Sequence, residues 1–77
     1  MDFEQVARQV ATALGVTDPS GELRLSLDSL DLVNLFVELE KATQLTIPPE
    51  AVTAENFSTI GALGALLRTL AAQRSSS

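Results

Sequence analysis

The chain has 77 residues, with ten acidic side chains against five basic ones and a net charge of −5. It contains no cysteine and no histidine, which excludes disulfides, cysteine metal sites and the usual general base at neutral pH. The acidic balance disfavours nucleic acid and anionic membranes as partners and favours proteins with basic patches. We expect one domain over residues 1–74, followed by a frayed tail at 75–77.

The sequence also indicates where the protein resides. No apolar run is long enough to cross a bilayer, and the start Met1-Asp2-Phe3-Glu4 lacks the basic pattern of a signal peptide. We therefore expect a soluble, cytoplasmic and monomeric protein.

Residues 2–14 have the spacing of an amphipathic helix. Apolar residues recur every three or four positions, and Asp2 and Gly15 suit the start and the end of that helix. We assign the apolar face to the core. Its predicted members are Phe3, Val6, Val10 and Leu14, with Ala7 and Ala11 beside them.

A long loop is predicted over residues 15–28. The segment Asp18-Pro19-Ser20-Gly21 is typical of a turn. Leu23, Leu25 and Leu27 alternate with polar residues as in a strand, yet no second segment offers a pairing partner. We expect an extended loop whose leucines are anchored in the core. A loop of this length in a small domain is more often functional than not.

The second predicted helix covers residues 29–43 and has more apolar residues than one buried face requires. Its first apolar face comprises Leu32, Leu35, Phe36 and Leu39. A second stripe comprises Leu30, Val33 and Val37, with Asn34, Glu40 and Lys41 on the same side. This stripe is either an exposed surface that docks in a partner's groove, or buried because the helix is central. Spacing alone does not distinguish the two.

The last third of the chain predicts a short and a long helical segment. Pro48 and Pro49 end the second helix, and one helical turn follows around residues 53–57 with Phe57 as a core anchor. The last predicted helix covers residues 59–73 and is capped by Thr59 or Ser58. Its inner face consists of Ile60, Leu63, Leu67 and Leu70, supported by Leu66. The whole pattern predicts an all-α fold.

The reactive side chains argue against an enzyme. No Ser-His-Asp set, EF-hand calcium loop or glycine-rich phosphate loop can be assembled, so we expect neither catalysis nor a metal site. Ser29 is the side chain of interest, because it stands at the start of the second helix between Asp28 and Asp31. Such residues cap helices, and the N–H groups and dipole of a helix start would also stabilise a phosphodiester on Ser29.

The stretch Leu27-Asp28-Ser29-Leu30-Asp31-Leu32-Val33 resembles the attachment motif of acyl carrier proteins, whose core is Asp-Ser-Leu. The similarity covers nearly the whole chain, including the long preceding loop, Glu38-Leu39-Glu40, Ile47-Pro48 and Thr59-Ile60-Gly61-Ala62-Leu63. The resemblance implies a four-helix bundle with a short third helix and a long loop between helices one and two. It also implies a 4′-phosphopantetheine arm on Ser29, whose distal thiol carries acyl groups as thioesters.

The same resemblance implies a set of partners. A phosphopantetheinyl transferase would move the arm from coenzyme A to Ser29, with Asp28 assisting and Leu30 packing in its groove. Acyl-loading and acyl-processing enzymes of a fatty-acid, polyketide or related pathway would follow. The residues expected to dock these partners are Asp28, Leu30, Asp31, Val33, Asn34, Val37, Glu40 and Lys41.

Some residues depart from the family pattern. Asn34 and Lys41 stand where acidic residues are frequent, and Leu45 replaces a frequent aromatic residue, which favours a dedicated set of partners, as in secondary metabolism. The alternative among carriers is a peptidyl or aminoacyl carrier, although Ser26-Leu27-Asp28 lacks the glycine-rich approach typical of that group. The alternative outside the carriers is a helical interaction module in which Ser29 is only a cap.

Overall fold

The computed structural model of the protein describes residues 2–24 and 30–76. Within these ranges three α-helices occur: α1 at Phe3–Leu14, α2 at Leu30–Thr43 and α3 at Ile60–Ser76. A 3₁₀ helix, Pro49–Ala51, lies between α2 and α3. The β-type pairings in these ranges are isolated bridges. The prediction of an all-α fold is confirmed.

The prediction of a fourth, short α-helix is not confirmed. The 3₁₀ helix takes its place, followed by a single turn in which the Phe57 N–H donates to the Thr53 carbonyl oxygen at 3.1 Å. Pro48 and Pro49 lack the N–H groups that a longer helix needs, and Pro49 suits a first helical position. The turn expected around residues 53–57 is therefore present, but the described part of the chain has three α-helices rather than four.

The helix ends follow the sequence signals. The Asp2 carboxylate accepts a hydrogen bond from the Gln5 N–H at 3.1 Å and so caps α1. Gly15 ends that helix with φ 71°, a left-handed conformation that glycine adopts without strain. The Thr59 hydroxyl accepts from the Ala62 N–H at 3.0 Å, so Thr59 is the cap of α3.

The buried face of α1 follows the prediction, and its fully buried positions are the two alanines. Its centre lies on Ala7 and Ala11, which have no exposed surface, whereas the larger Phe3 is only partly buried. Gly64 lets α3 come close to the start of α1, since a Cβ atom added there would lie 2.9 Å from the Cα atom of Glu4. A close approach of the two helices at Gly64 thus accompanies the packing of large apolar side chains such as Val10 and Leu63 in the core.

The core forms around α1, which packs against both α2 and α3. Phe57 is buried as predicted, which anchors the segment between α2 and α3. A substantial apolar core is present, given that a chain of this size has a limited interior. The buried apolar residues are Ala7, Ala11, Val16, Leu32, Leu35, Leu39, Leu45, Ile47, Phe57, Ile60, Leu63 and Leu67.

The loop after α1 is paired more extensively than the sequence suggested. The Leu23 N–H donates to the Ser58 carbonyl oxygen at 2.9 Å, and the Ile60 N–H donates to the Gly21 carbonyl oxygen at 2.8 Å. Leu23 packs against the core, as predicted. Leu25 and Leu27 lie outside the described residues. A backbone partner for this loop thus exists in residues 58–60, which lead into α3 and carry no strand pattern in sequence.

Two further results concern the helix lengths. α3 continues to Ser76, three residues beyond its predicted end and into the expected tail, because Ala71, Ala72, Gln73 and Arg74 favour helix and no glycine or proline interrupts them. Among the described residues, no helix is long and apolar enough to cross a membrane.

Candidate functional site

The candidate site lies at the start of α2. Asp28 and Ser29 lie outside the described residues, so the structure gives no distances or contacts for their predicted roles. Leu30 follows Ser29 directly and is the first residue of α2, with 80% of its surface exposed. Asp31 is also exposed, in the first turn. The dipole of a helix favours negative charge at this end, so a phosphodiester on the preceding residue would meet a favourable field.

The two apolar faces of α2 differ in their exposure to solvent. Leu32, Leu35 and Leu39 are buried against the rest of the protein. Leu30 and Val33 are exposed, Val33 by 47%, and Val37 is partly buried. The second stripe is therefore an exposed apolar surface over its first turn, and the interpretation in which both stripes are buried is wrong. An apolar surface of this kind suits the groove of a partner protein.

The polar residues near this stripe differ in their surroundings. Asn34 and Lys41 are exposed, and the Lys41 ammonium lies 3.5 Å from the Glu38 carboxylate. Glu40 is half-buried, and its carboxylate accepts a hydrogen bond from the Ile47 backbone N–H at 2.7 Å. The three side chains share one side of the helix, but Glu40 binds the protein's own backbone.

An apolar cleft opens beside the exposed stripe. It has a volume of about 390 Å³ and lies between the first half of α2 and the segment around the 3₁₀ helix. The wall formed by the segment around the 3₁₀ helix was not predicted from the sequence. The signal for it in the sequence is the pair of apolar residues that flank the two prolines, Ile47 and Val52. The lining residues are Leu32, Val33, Phe36, Ile47, Pro49 and Val52.

The described part of the loop after α1 contains a turn that is held by Asp18. The Asp18 carboxylate accepts hydrogen bonds from the Ser20 hydroxyl at 2.6 Å and from the Ser20 and Glu22 N–H groups at 3.0 and 3.1 Å. The Ser20 hydroxyl bond is the main cause that lowers the pKa of Asp18, with smaller contributions from these N–H groups and from the positive charge of Arg24. This turn therefore depends on an ionised carboxylate.

Comparison with known proteins identifies the family. Residues 4–67 match the family model described as the phosphopantetheine attachment site. The chain is also 33% identical over 64 residues to aminoacyl carrier protein 1 of Bradyrhizobium diazoefficiens, which covers 83% of this chain and 71% of that protein. No solved structure matches.

The family match covers nearly all of α1, the segment that contains Ser29, all of α2 and the first half of α3. Members of this family bind 4′-phosphopantetheine covalently and act as carriers rather than as catalysts. The structure fits such a group, because the exposed Leu30 and the cleft leave open space beside the start of α2. The chain belongs to the family of phosphopantetheine-binding carrier proteins.

Proposed function

We propose that the protein carries acyl intermediates as thioesters on a 4′-phosphopantetheine arm attached to Ser29. The single observation that supports this most directly is the exposed start of α2 immediately after Ser29, within the matched region. Two other serines in that region have their hydroxyls engaged within the chain. The Ser20 hydroxyl donates to Asp18 at 2.6 Å, and the Ser58 hydroxyl donates to the Glu55 carbonyl oxygen at 2.8 Å.

Attachment needs a second protein. A phosphopantetheinyl transferase would form the bond between the Ser29 oxygen and phosphorus while the pyrophosphate bond of coenzyme A breaks and adenosine 3′,5′-bisphosphate leaves. A base of the transferase would take the hydroxyl proton. The chain itself has no histidine or cysteine for that role. The bound arm supplies the thiol that the sequence lacks.

The docking surface of this proposal is the outward side of α2. Exposure of Leu30 and Val33 supports their part in it, as does the exposure of Asp31, Asn34 and Lys41. The partners would be the transferase and the enzymes that load and process the cargo. The proposed docking residues are Asp28, Leu30, Asp31, Val33, Asn34, Val37 and Lys41. Glu40 lies on the same side of α2, but its carboxylate is bonded to the Ile47 N–H.

The apolar cleft supports an acyl cargo. Its walls come from aliphatic and aromatic side chains, and an aliphatic chain enters such a site with a gain of about 0.8 kcal/mol for each methylene removed from water. An aminoacyl thioester carries an ammonium group, which is costly to place among apolar side chains.

A second candidate function is an aminoacyl carrier. The observation that favours it is the 33% identity to a protein named aminoacyl carrier protein 1. Both candidates share the arm and the attachment residue, and they differ only in the group held by the thiol.

The attachment site is tested by mass spectrometry. The purified protein is incubated with coenzyme A and a broad-specificity phosphopantetheinyl transferase, and the intact mass is recorded. We expect the mass of one 4′-phosphopantetheine in the parent and in the matched control Ser26→Ala, and none in Ser29→Ala. A parent that gains no mass, or a gain that persists in Ser29→Ala, would contradict the proposal.

The cargo is tested with arms of known composition. The same transferase transfers arms from octanoyl-coenzyme A and from alanyl-coenzyme A, and amide hydrogen exchange is compared at Phe36 and Ile47. For an acyl carrier, we expect slower exchange with the octanoyl arm than with the alanyl arm, because the aliphatic chain covers the cleft. Equal exchange with both arms would remove the support that the cleft gives to an acyl cargo.

A further inference from the structure

Glu40 occupies a position between two openings of the surface. On one side it lines a hollow of about 550 Å³ at the end of α2, together with Val37, Lys41 and the segment 44–46. On the other side its carboxylate accepts the Ile47 N–H at 2.7 Å, and Ile47 is a wall residue of the apolar cleft. One side chain thus connects the end of α2 with the wall of the cleft that Ile47 forms.

The segment before Pro48 is held by the buried side chains of Leu45 and Ile47. Its other hydrogen bonds lie before Ile47, from the Leu45 N–H to the Thr43 hydroxyl at 3.3 Å and from Arg74 to the Gln44 carbonyl oxygen. At Ile47 itself the bond to Glu40 is the one that fixes the backbone.

The residues between Thr43 and Pro49 form no helix, and Pro48 and Pro49 have no N–H group to contribute. Ile47 itself is 96% removed from solvent, with 4% of its surface exposed. A buried N–H group that loses its acceptor is unfavourable, so without Glu40 this segment would move toward water.

The hydrogen bond from the Ile47 N–H to the Glu40 carboxylate belongs to the stronger, charge-assisted kind. An ionised carboxylate is a better acceptor than a neutral oxygen, and the bond links residues seven positions apart across the end of α2. A neutral amide oxygen at the same place could still accept the N–H, whereas a methyl group could not. A comparison of Glu40→Gln with Glu40→Ala therefore tells whether Glu40 acts as a hydrogen-bond acceptor or as a surface charge.

We propose that Glu40 is a positioning residue, which holds the Ile47 wall of the cleft through this hydrogen bond, and not an independent charge for partner docking. A cationic group of a partner that entered the hollow would compete with the Ile47 N–H for the carboxylate and so loosen the wall. The proposal rests on the proposed function only for the identity of what fills the cleft.

The experiment uses the unmodified chain and three variants. Hydrogen exchange of the Ile47 amide is measured by NMR, and the affinity of the neutral fluorescent probe N-phenylnaphthylamine for the cleft is measured by titration. In Glu40→Ala we expect Ile47 exchange to rise about tenfold and probe affinity to fall several-fold. In Glu40→Gln we expect both quantities to stay within about threefold of the parent, because the amide oxygen still accepts.

Two controls make the outcome decisive. Glu38→Ala removes the same charge from the same helix, and its carboxylate pairs with Lys41 rather than with the Ile47 wall, so we expect no change in either readout. The Leu63 amide, which donates to Thr59 within the start of α3 at 3.0 Å, reports on general loosening and should exchange at the parental rate.

Three results would overturn the proposal: unchanged Ile47 exchange in Glu40→Ala, equal effects of Glu40→Gln and Glu40→Ala, or faster exchange of Leu63 by the same factor as Ile47. None of these measurements needs the arm. A failure of attachment at Ser29 would therefore leave the result on Glu40 intact, and the reverse also holds.

Discussion

The close approach of α1 and α3 gives a prediction for Gly64→Ala. A Cβ atom at this position would lie 2.9, 3.0 and 3.1 Å from the Cα, Cβ and N atoms of Glu4, well inside the contact distance of about 3.5–4.0 Å for carbon atoms. Two of the three atoms belong to the backbone and cannot rotate away. The helices would have to separate, which loosens the packing of Ala7 and Leu63 in the core.

The magnitude follows from two opposing effects. Overpacking of a core costs about 1–3 kcal/mol, and a clash with backbone lies at the upper end. Alanine is favoured over glycine in a helix by about 1 kcal/mol. We expect Gly64→Ala to lower the free energy of unfolding by about 2 kcal/mol, which for a domain of this size is a fall in Tm of about 8–16 °C.

The measurement is thermal and urea unfolding followed by far-ultraviolet circular dichroism, because the chain has no tryptophan or tyrosine to report by fluorescence. Gly61→Ala is the matched control, since the nearest atom to its added Cβ would be the Thr59 hydroxyl oxygen at 3.9 Å. We expect that variant to gain up to about 1 kcal/mol. If Gly64→Ala were as stable as the parent while Gly61→Ala gained stability, the close approach would be wrong.

Two further predictions concern the backbone and the pH dependence. Gln44 has φ 61°, so Gln44→Gly should raise the free energy of unfolding, measured in urea, by about 0.5–1 kcal/mol. The control Gln9→Gly within α1 should lower it by about 1 kcal/mol. An equal loss of stability in both variants would refute the prediction for Gln44. The lowered pKa of Asp18 means that its contribution is present above the ordinary aspartate value of about 3.9 and is lost as the pH falls through the lower folded value. The stability difference between the parent and Asp18→Asn should therefore shrink between pH 6 and pH 3, and a constant difference would contradict this assignment.

The sequence predicted the helices well because their signals are local. Asp2 and Gly15 bound α1 through contacts within a few residues, and the apolar spacing in α2 selected Leu35 and Leu39 for the core correctly. The exposure of Leu30 could not be derived from spacing, because a second apolar stripe suits either a central helix or a docking helix. Only the placement of the other elements decides between them.

The features that the sequence did not predict depend on distant pairs of residues. Ala7 and Ala11 were predicted on the core face and are fully buried, but no pattern within α1 indicates that Glu4 comes close to Gly64 of α3. The position of Glu40 on α2 did not indicate that its carboxylate accepts a hydrogen bond from a backbone N–H seven residues later, while its predicted part in docking stays a prediction. The Asp28 and Ser29 predictions lie outside the described residues and stay predictions.

The contact between Glu4 and Gly64 also has a consequence for how the chain folds. It closes a loop of 60 residues, and bringing the ends of such a loop together costs on the order of 3–4 kcal/mol in chain entropy. No shorter segment contains this contact, so α1 cannot complete its packing, which involves both α2 and α3, until α3 is available. We therefore expect α1 to complete its packing late, after the more local turns that join α2 to the start of α3 have formed.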